Sequence, residues 1–274
     1  MSFAIKAVVL DWAGTMIDHG CRAPVVALRR VFEQADVPIS EAEARADMGR
    51  AKRDHIRAIL AAPRVHDAWR TAHGASPEEA DVSALHDAVE PVMLEATRDC
   101  ATLIPGAADL ARKLRETGIK IASSTGYTRT MMADILPLAA AQGYVPDAVV
   151  CAGETLQGRP SPLMLWKGLV ELGVWPAWAC VKVDDAMVGI AEGKAAGAWT
   201  VGLSASGNGV GLDFDDLQAL PANERERRIE MSEAILREAG ADYVIDSIAD
   251  LWPVLEEIAA RIDAGEKPTS EVAA

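Results

Sequence analysis

At 274 residues the chain is long enough for one large core or two unequal domains, and its composition, half hydrophobic and a quarter charged, is that of an ordinary globular protein. The net charge of −14 argues against a general affinity for nucleic acid or anionic membrane surfaces. It leaves room for an anionic substrate held by a local group of cations.

The opening "MSFAIKAVVLDWAG" holds an apolar run too short for a signal peptide, and no later stretch is long enough to span a membrane. Within it "AIKAVVLD" reads as a buried strand that ends at Asp11 and runs into a Gly-Thr turn. From about His19 to Asp99 there is no convincing strand. "RAPVVALRRVFEQA" has helical spacing, and Ser40–Glu43 and Ser76–Glu79 read as capping boxes, the second with Pro77 at the first helical position. "PGAADLARKLRETG" is a helix with Pro105 at its start and Gly118 as its stop. The runs "IKIASST", "DAVVCAG", "ACVKVDD", "WTVGLS" and "ADYVIDS" then read as buried strands, each followed by a helical stretch, which implies a parallel α/β sheet with right-handed crossovers. The tail from Asp263 is polar and expected to fray. Cys21, Cys100, Cys151 and Cys180 lack CxxC spacing, which argues against zinc sites and disulfide staples and makes a reducing cytoplasm the expected compartment.

Ligands bind open parallel sheets beyond the carboxyl ends of the strands. Those ends carry Asp11, then Ser124-Thr125-Gly126, then a turn containing Arg159, then Asp184-Asp185. A carboxylate, a hydroxyl on a Gly turn, a cation and an acidic pair suit Mg²⁺-assisted phosphoryl transfer to Asp11, the metal offsetting repulsion between carboxylate and phosphorus dianion. Singly, each has a plainer explanation as helix cap, surface arginine or solvated acidic pair. Their order along one sheet edge carries the signal.

This ordered set resembles the haloacid dehalogenase superfamily. The resemblance implies an α/β fold: a Rossmann-like parallel-sheet core of the haloacid dehalogenase type over residues 1–18 and 100–274, with an inserted helical cap domain over 19–99. It also implies Asp11 as nucleophile, Mg²⁺ held by Asp11, the carbonyl of Ala13 and Asp185, and Thr125, with Gly126 in its turn, and Arg159 as phosphate ligands, Arg159 replacing the more usual Lys. Two positions depart from the common pattern. In "VDDAMVGI" Asp184 replaces a Gly and Gly189 replaces an Asp, which leaves the metal shell beyond Asp11 and Asp185 open between water and Asp184. Ala13 stands where a second Asp usually protonates a leaving oxygen.

The insert offers an alternative to that acid. With "MGRAKRDHIRAIL" taken as one helix, Met48, Lys52, His55, Ile56 and Ile59 share a face, while Arg50, Arg53, Asp54 and Arg57 share the other. A lysine on the apolar face has its charged form disfavoured and becomes a nucleophilic amine, with His55 one turn on to move protons. The same pattern also fits a lysine that snorkels from a half-buried face. If phosphorus is bonded to carbon, no leaving oxygen needs a proton; a departing carbanion needs an electron sink, which a Lys52 imine supplies. "LDWAGT", Cys21, "MGxxKxDH", "PRVxxxW" (Pro63 to Trp69), "STGYT" and "GRPSP" together resemble the phosphonatase family within that superfamily, from about residue 4 to about 260.

That resemblance implies hydrolysis of the carbon–phosphorus bond of phosphonoacetaldehyde, with Lys52 as Schiff base, Asp11 as attacking carboxylate, and His55, Met48, Cys21 and Tyr127 around the imine; it also implies a homodimer. For Met48, Cys21 and Tyr127, packing is the competing explanation. A capped phosphatase or phosphomutase acting on a phosphate ester is the alternative enzyme, with Lys52 as a binding cation. A phosphorylatable receiver-type module fits less well, because its acidic pair precedes its acceptor Asp in the chain and the insert would have no role.

Overall fold

The structure, a computed structural model, describes residues 4–269. All six predicted strands are present: β1 (Ala7–Leu10), β2 (Lys120–Thr125), β3 (Ala148–Cys151), β4 (Cys180–Asp184), β5 (Trp199–Leu203) and β6 (Tyr243–Ile245). They form one parallel sheet in the order β3-β2-β1-β4-β5-β6. Every residue of β1, β4 and β5 is buried, as expected of strands covered on both faces. The chain builds outward from β1 through β2 to β3, then returns to place β4 on the other side of β1. That reversal opens a crevice at the carboxyl ends of β1 and β4.

Between β1 and β2 the chain runs through α1 (Arg22–Gln34), α2 (Glu41–Arg45), α3 (Lys52–Ala61), α4 (Pro63–His73), α5 (Glu79–Asp99) and α6 (Ala107–Glu116). The remaining helices are α7 (Arg129–Ala141), α8 (Leu163–Leu172), α9 (Met187–Ala196), α10 (Phe214–Ala219), α11 (Ala222–Glu238) and α12 (Leu251–Asp263). The predicted capping box at Ser40 is formed: Ser40 Oγ accepts from the Glu43 N–H at 3.2 Å, and Glu43 Oε2 accepts from the Ser40 N–H at 2.8 Å. Among the described residues no helix is long and apolar enough to cross a membrane.

Three local expectations need correction. The stretch from Met48 is not one helix: Gly49 has φ +90°, Ala51 is non-helical, and α3 begins at Lys52, so Met48 reaches its place from a turn. Helix α5 begins at Glu79, because Glu78 is extended; Asp81 Oδ2 accepts from the Glu78 N–H at 2.7 Å, and Ser76 and Pro77 lie before the helix. Helix α6 starts at Ala107 after Gly106 at φ +89°, so Pro105 also precedes its helix. Of the tail expected to fray, Thr269 is tied down, accepting from Lys194 Nζ at 2.7 Å, and residues 270–274 lie outside the described residues.

The insert's apolar faces join the main core. One hydrophobic cluster runs from Val8 and Leu10 of the sheet to Leu28, Phe32, Ile56, Val89 and Met93 of α1, α3 and α5. Helix α5 bridges the two regions, packing on α1 and α3 and also on α7. We expect Met93→Ala, which empties a fully buried position on this bridge, to cost about 2–5 kcal/mol in urea unfolding. A single unfolding transition is expected for both proteins; two resolved transitions would mean that the insert folds independently of the sheet.

Candidate active site

Strand register sets the floor of the site. Leu10 pairs with Ser123 on one side and Val183 on the other. The chain therefore leaves β1 at Asp11 between Ser124 and Asp184, and the Asp11 N–H donates to the Val183 carbonyl at 3.1 Å. Thr125 ends β2, with its hydroxyl accepting from the Tyr127 N–H at 3.1 Å. These residues are buried, as are Arg159 and Asp185.

Beneath the floor lies a closed ionic network. Arg159 donates to Asp11 Oδ1 at 2.8 Å and to the Ser124 carbonyl, and its guanidinium lies 3.1 Å from Glu192 Oε2 and 3.4 Å from Asp184 Oδ2. Lys182 sits 3.0 Å from Asp184 Oδ2, 3.2 Å from Glu192 Oε2, and donates to Ser124 Oγ at 2.8 Å. Lys182 and Asp184, two apart on β4, point to the same face, where α9 brings Glu192 against them. Burial raises the Asp11 carboxyl, Arg159 opposes that, and Asp184 adds to it. Arg159 thus lies behind Asp11 and does not line the cavity above it.

The insert supplies the roof. Lys52, Met48, Gly49, Cys21 and Pro24 line a cavity with Asp11, Ala13, Thr125, Gly126, Tyr127, Asp185 and Ala186. Its volume is about 20 Å³, room for about one water. Lys52 is 3% exposed and opens α3; burial lowers its pKa to about 8, against the opposing pull of Cys21 and Asp11. Its ammonium lies 5.9 Å from the centre of the Tyr127 ring. His55, one turn on, is fully buried outside the lining, and burial followed by the Lys52 charge lowers its pKa to about 3. Burial pushes the Cys21 thiol well above its ordinary value. The Tyr127 hydroxyl is buried without a hydrogen-bond partner among the described residues. Roof and floor meet backbone to backbone: a Cβ on Gly126 would lie 2.9 Å from the Arg50 carbonyl oxygen and 3.0 Å from that of Gly49.

Residues 5–197 match the family model of haloacid dehalogenase-like hydrolases. The phosphonoacetaldehyde hydrolase of Paraburkholderia xenovorans strain LB400 is 49% identical over 96% of this chain and 99% of its own length. That of Hahella chejuensis is 44% identical over 96% of this chain and 90% of its own. The crystal structure of a phosphonoacetaldehyde hydrolase-like protein from Oleispira antarctica superposes with a TM-score of 0.96 at 43% identity, covering 97% of each chain. The chain belongs to the phosphonoacetaldehyde hydrolase family of the haloacid dehalogenase-like hydrolases.

Hydrolases of the haloacid dehalogenase type use a divalent metal, and the charges in this member fit one. Four buried carboxylates, Asp11, Asp184, Asp185 and Glu192, face two buried cations, Arg159 and Lys182. With the Lys52 ammonium counted as a third cation, the carboxylates are still in excess, which favours a bound cation. Oxygens of Asp11, Asp184 and Asp185 lie within 4.8 Å of one another. Asp184 is already engaged by Lys182, Arg159 and the Ala186 N–H. Asp185 has no ion pair among the described residues, and burial with repulsion from Asp184 and Asp11 holds its carboxyl well above the usual range.

The departure in the fourth motif has a steric reason in this family member. A Cβ on Gly189 would lie 1.9 Å from Asp184 Oδ2, so the carboxylate rising from β4 occupies the space that a side chain on α9 would need. Sequence reading passed over several residues. Pro24, Gly49 and Ala186 line the cavity without chemical signatures. Lys182 and Glu192 did carry a signal: a lysine inside an apolar strand and a glutamate in a Gly/Ala-rich helix both imply burial, and buried charges need each other. The alternating glycines at 207, 209 and 211 after β5 were also unread, and their loop reaches the site through Asn208, whose N–H donates to Asp185 Oδ2 at 2.7 Å. We expect Gly189→Ala, which presses on the Asp184 carboxylate, to cost about 1–3 kcal/mol in urea unfolding. No loss of stability would mean that Asp184 is free to move.

Proposed function

We propose that the protein hydrolyses phosphonoacetaldehyde to acetaldehyde and phosphate, with residues 19–99 as a cap over a catalytic core of 1–18 and 100–274. The observation that carries this reading is that Lys52 of the insert and Asp11 of the sheet line one cavity, the lysine with a pKa lowered to about 8. The names of the relatives agree with it.

The Lys52 amine adds to the aldehyde carbon and expels water, giving an imine whose protonated form is an electron sink beta to phosphorus. An Asp11 oxygen attacks phosphorus. The carbon–phosphorus bond breaks, and its electron pair moves into the iminium to leave an enamine. Protonation at carbon and hydrolysis of the resulting imine release acetaldehyde and restore the amine. A second water hydrolyses the aspartyl phosphate, so the net reaction consumes one water. Ala13 fits this route because no leaving oxygen has to be protonated. Asp11, the carbonyl of Ala13 and Asp185 would hold Mg²⁺, which supplies charge compensation for a phosphorus dianion next to a carboxylate. Thr125 and Gly126 receive the phosphoryl oxygens. Arg159 aims Asp11 and balances its charge. His55, held neutral, accepts a proton transiently during imine formation, and Cys21, Met48 and Tyr127 enclose the two-carbon portion. We further infer a homodimer in the cytoplasm, the latter in keeping with four free cysteines.

Lys52→Arg keeps the charge but cannot form an imine. We expect it to abolish phosphate release from phosphonoacetaldehyde and to abolish borohydride-dependent covalent labelling by the aldehyde. Undiminished release of acetaldehyde would overturn the mechanism, and a surviving phosphate-ester activity alone would favour the phosphatase alternative. Only the neutral amine attacks the aldehyde. The initial rate of labelling should therefore rise with pH through about 8, following the Lys52 pKa; a rise centred near that of a free lysine, about 10.4, would show that the amine is not buried in solution.

A further inference from the structure

Arg45, the last residue of α2, makes more connections between insert and core than its half-buried surface position suggests. Its guanidinium donates to the Gly20 carbonyl at 2.9 Å, the Cys21 carbonyl at 3.3 Å, the Gly211 carbonyl at 3.0 Å and Asn208 Oδ1 at 3.1 Å. Asn208 Nδ2 returns a bond to the Arg45 carbonyl at 3.2 Å. Glu41 Oε1, 2.8 Å from Nε, orients the guanidinium from within α2. Space is left for it: a Cβ on Gly211, at φ +75°, would lie 2.8 Å from the guanidinium. One arginine thus ties the first residues of the insert to the loop after β5. That loop is the one whose Asn208 N–H donates to Asp185 Oδ2.

We propose that Arg45 and Asn208 form a clasp that couples docking of the insert to the position of the Asp185 carboxylate, so that the site is completed only when the roof is down. Arg45 is a positioning residue, touching neither substrate nor reacting atoms. A clasp of this kind has work to do because the cavity of about 20 Å³ is too small for a molecule of seven non-hydrogen atoms in this conformation. The insert would then have to lift to admit substrate, and the three hydrogen bonds that tie Arg45 to Asn208 and Gly211 would break and reform with it. All are neutral or singly charged contacts at a partly buried seam, strong enough to choose one docked geometry and weak enough to open. The roof's apolar contacts hold it down in many neighbouring positions, whereas the fork of a guanidinium accepts only one.

This proposal rests on the reading of the site given above, and its test separates the two. Arg45→Met keeps most of the side-chain stem, Arg45→Lys keeps the charge, and Asn208→Ala keeps the backbone N–H that binds Asp185. With phosphonoacetaldehyde as substrate, we expect Arg45→Met and Asn208→Ala each to lower kcat/KM on the order of tenfold or more, since small displacements of positioned groups are costly in rate. The double variant should be no worse than the worse single one, as for two halves of one interaction, and Arg45→Lys should recover part of the loss. Amide hydrogen exchange, which needs no substrate, should accelerate at Asn208 and at Gly20, whose N–H donates to the Ser206 carbonyl at 2.7 Å, while Val8–Leu10 of the sheet stay protected. Multiplicative effects of the two substitutions, or unchanged exchange at Asn208 and Gly20 in both, would overturn the clasp. A wild-type protein that releases no phosphate from phosphonoacetaldehyde would defeat the proposed function, and the exchange measurement would still decide the clasp.

Discussion

The structure is organised by the need to keep four carboxylates buried at one end of a parallel sheet. An unpaired buried carboxylate is costly enough to neutralise itself or to unfold its surroundings. Here Arg159 and Lys182 stand among Asp11, Asp184 and Glu192, each cation shared by at least two of the anions. Many other features follow. Lysine is placed inside an apolar strand, α9 carries a glutamate on its inward face, and Gly189 is bare so that the Asp184 carboxylate has somewhere to go. Asp185 is left outside the cation network and is held instead by the loop after β5. The excess of negative charge is therefore concentrated next to Asp11, where a metal cation is useful.

The roof is governed by a different constraint. An amine with a lowered pKa requires exclusion of water, and the insert achieves that by packing Lys52 and His55 on the buried face of α3 while the arginines of the same helix stay outside. Exclusion is good enough to leave space for little more than a water. The same packing that tunes the lysine therefore blocks entry, and the protein has to trade a well-desolvated amine against access. Glycines where roof meets floor, at 49 and 126, allow backbone contact between the two, the closest approach a chain can make.

Much of this was legible in the amino-acid order. Period and composition revealed the six strands because strands buried on both faces are continuous apolar runs, and the strand-end residues could be read in order because a parallel sheet sends them all to one edge. Lys52 could be singled out because helical periodicity put one lysine on the wrong side among three well-placed arginines. Legibility failed where geometry depends on partners distant in the chain. Helix α3 starts later than its periodicity suggests because Gly49 and Ala51 adopt turn conformations that let the roof reach the floor. The box at Ser76 looked right locally, yet the helix takes its cap from Glu78 and Asp81. Glu192 and Asn208 have meaning only once α9 and the loop after β5 are folded back on β4, and no local pattern announces that.

The absence of an acid at position 13 follows from the same electrostatics. A carboxyl at Ala13, 6% exposed and on the cavity wall with Asp11 and Asp185, would add another anion to a site already in excess of negative charge. For ester cleavage that cost is worth bearing, since a leaving oxygen has to be protonated. For a carbon–phosphorus bond the demand is reversed: the leaving fragment needs somewhere to put electrons. On the proposed route an amine whose pKa burial has lowered condenses with the aldehyde, and the resulting iminium cation sits inside a field of carboxylates that favours it. On that route the positive charge beside the carboxylates is kept while the iminium supplies the electron sink. An acid at position 13 would have added negative charge there while providing a proton for which the proposed reaction has no use.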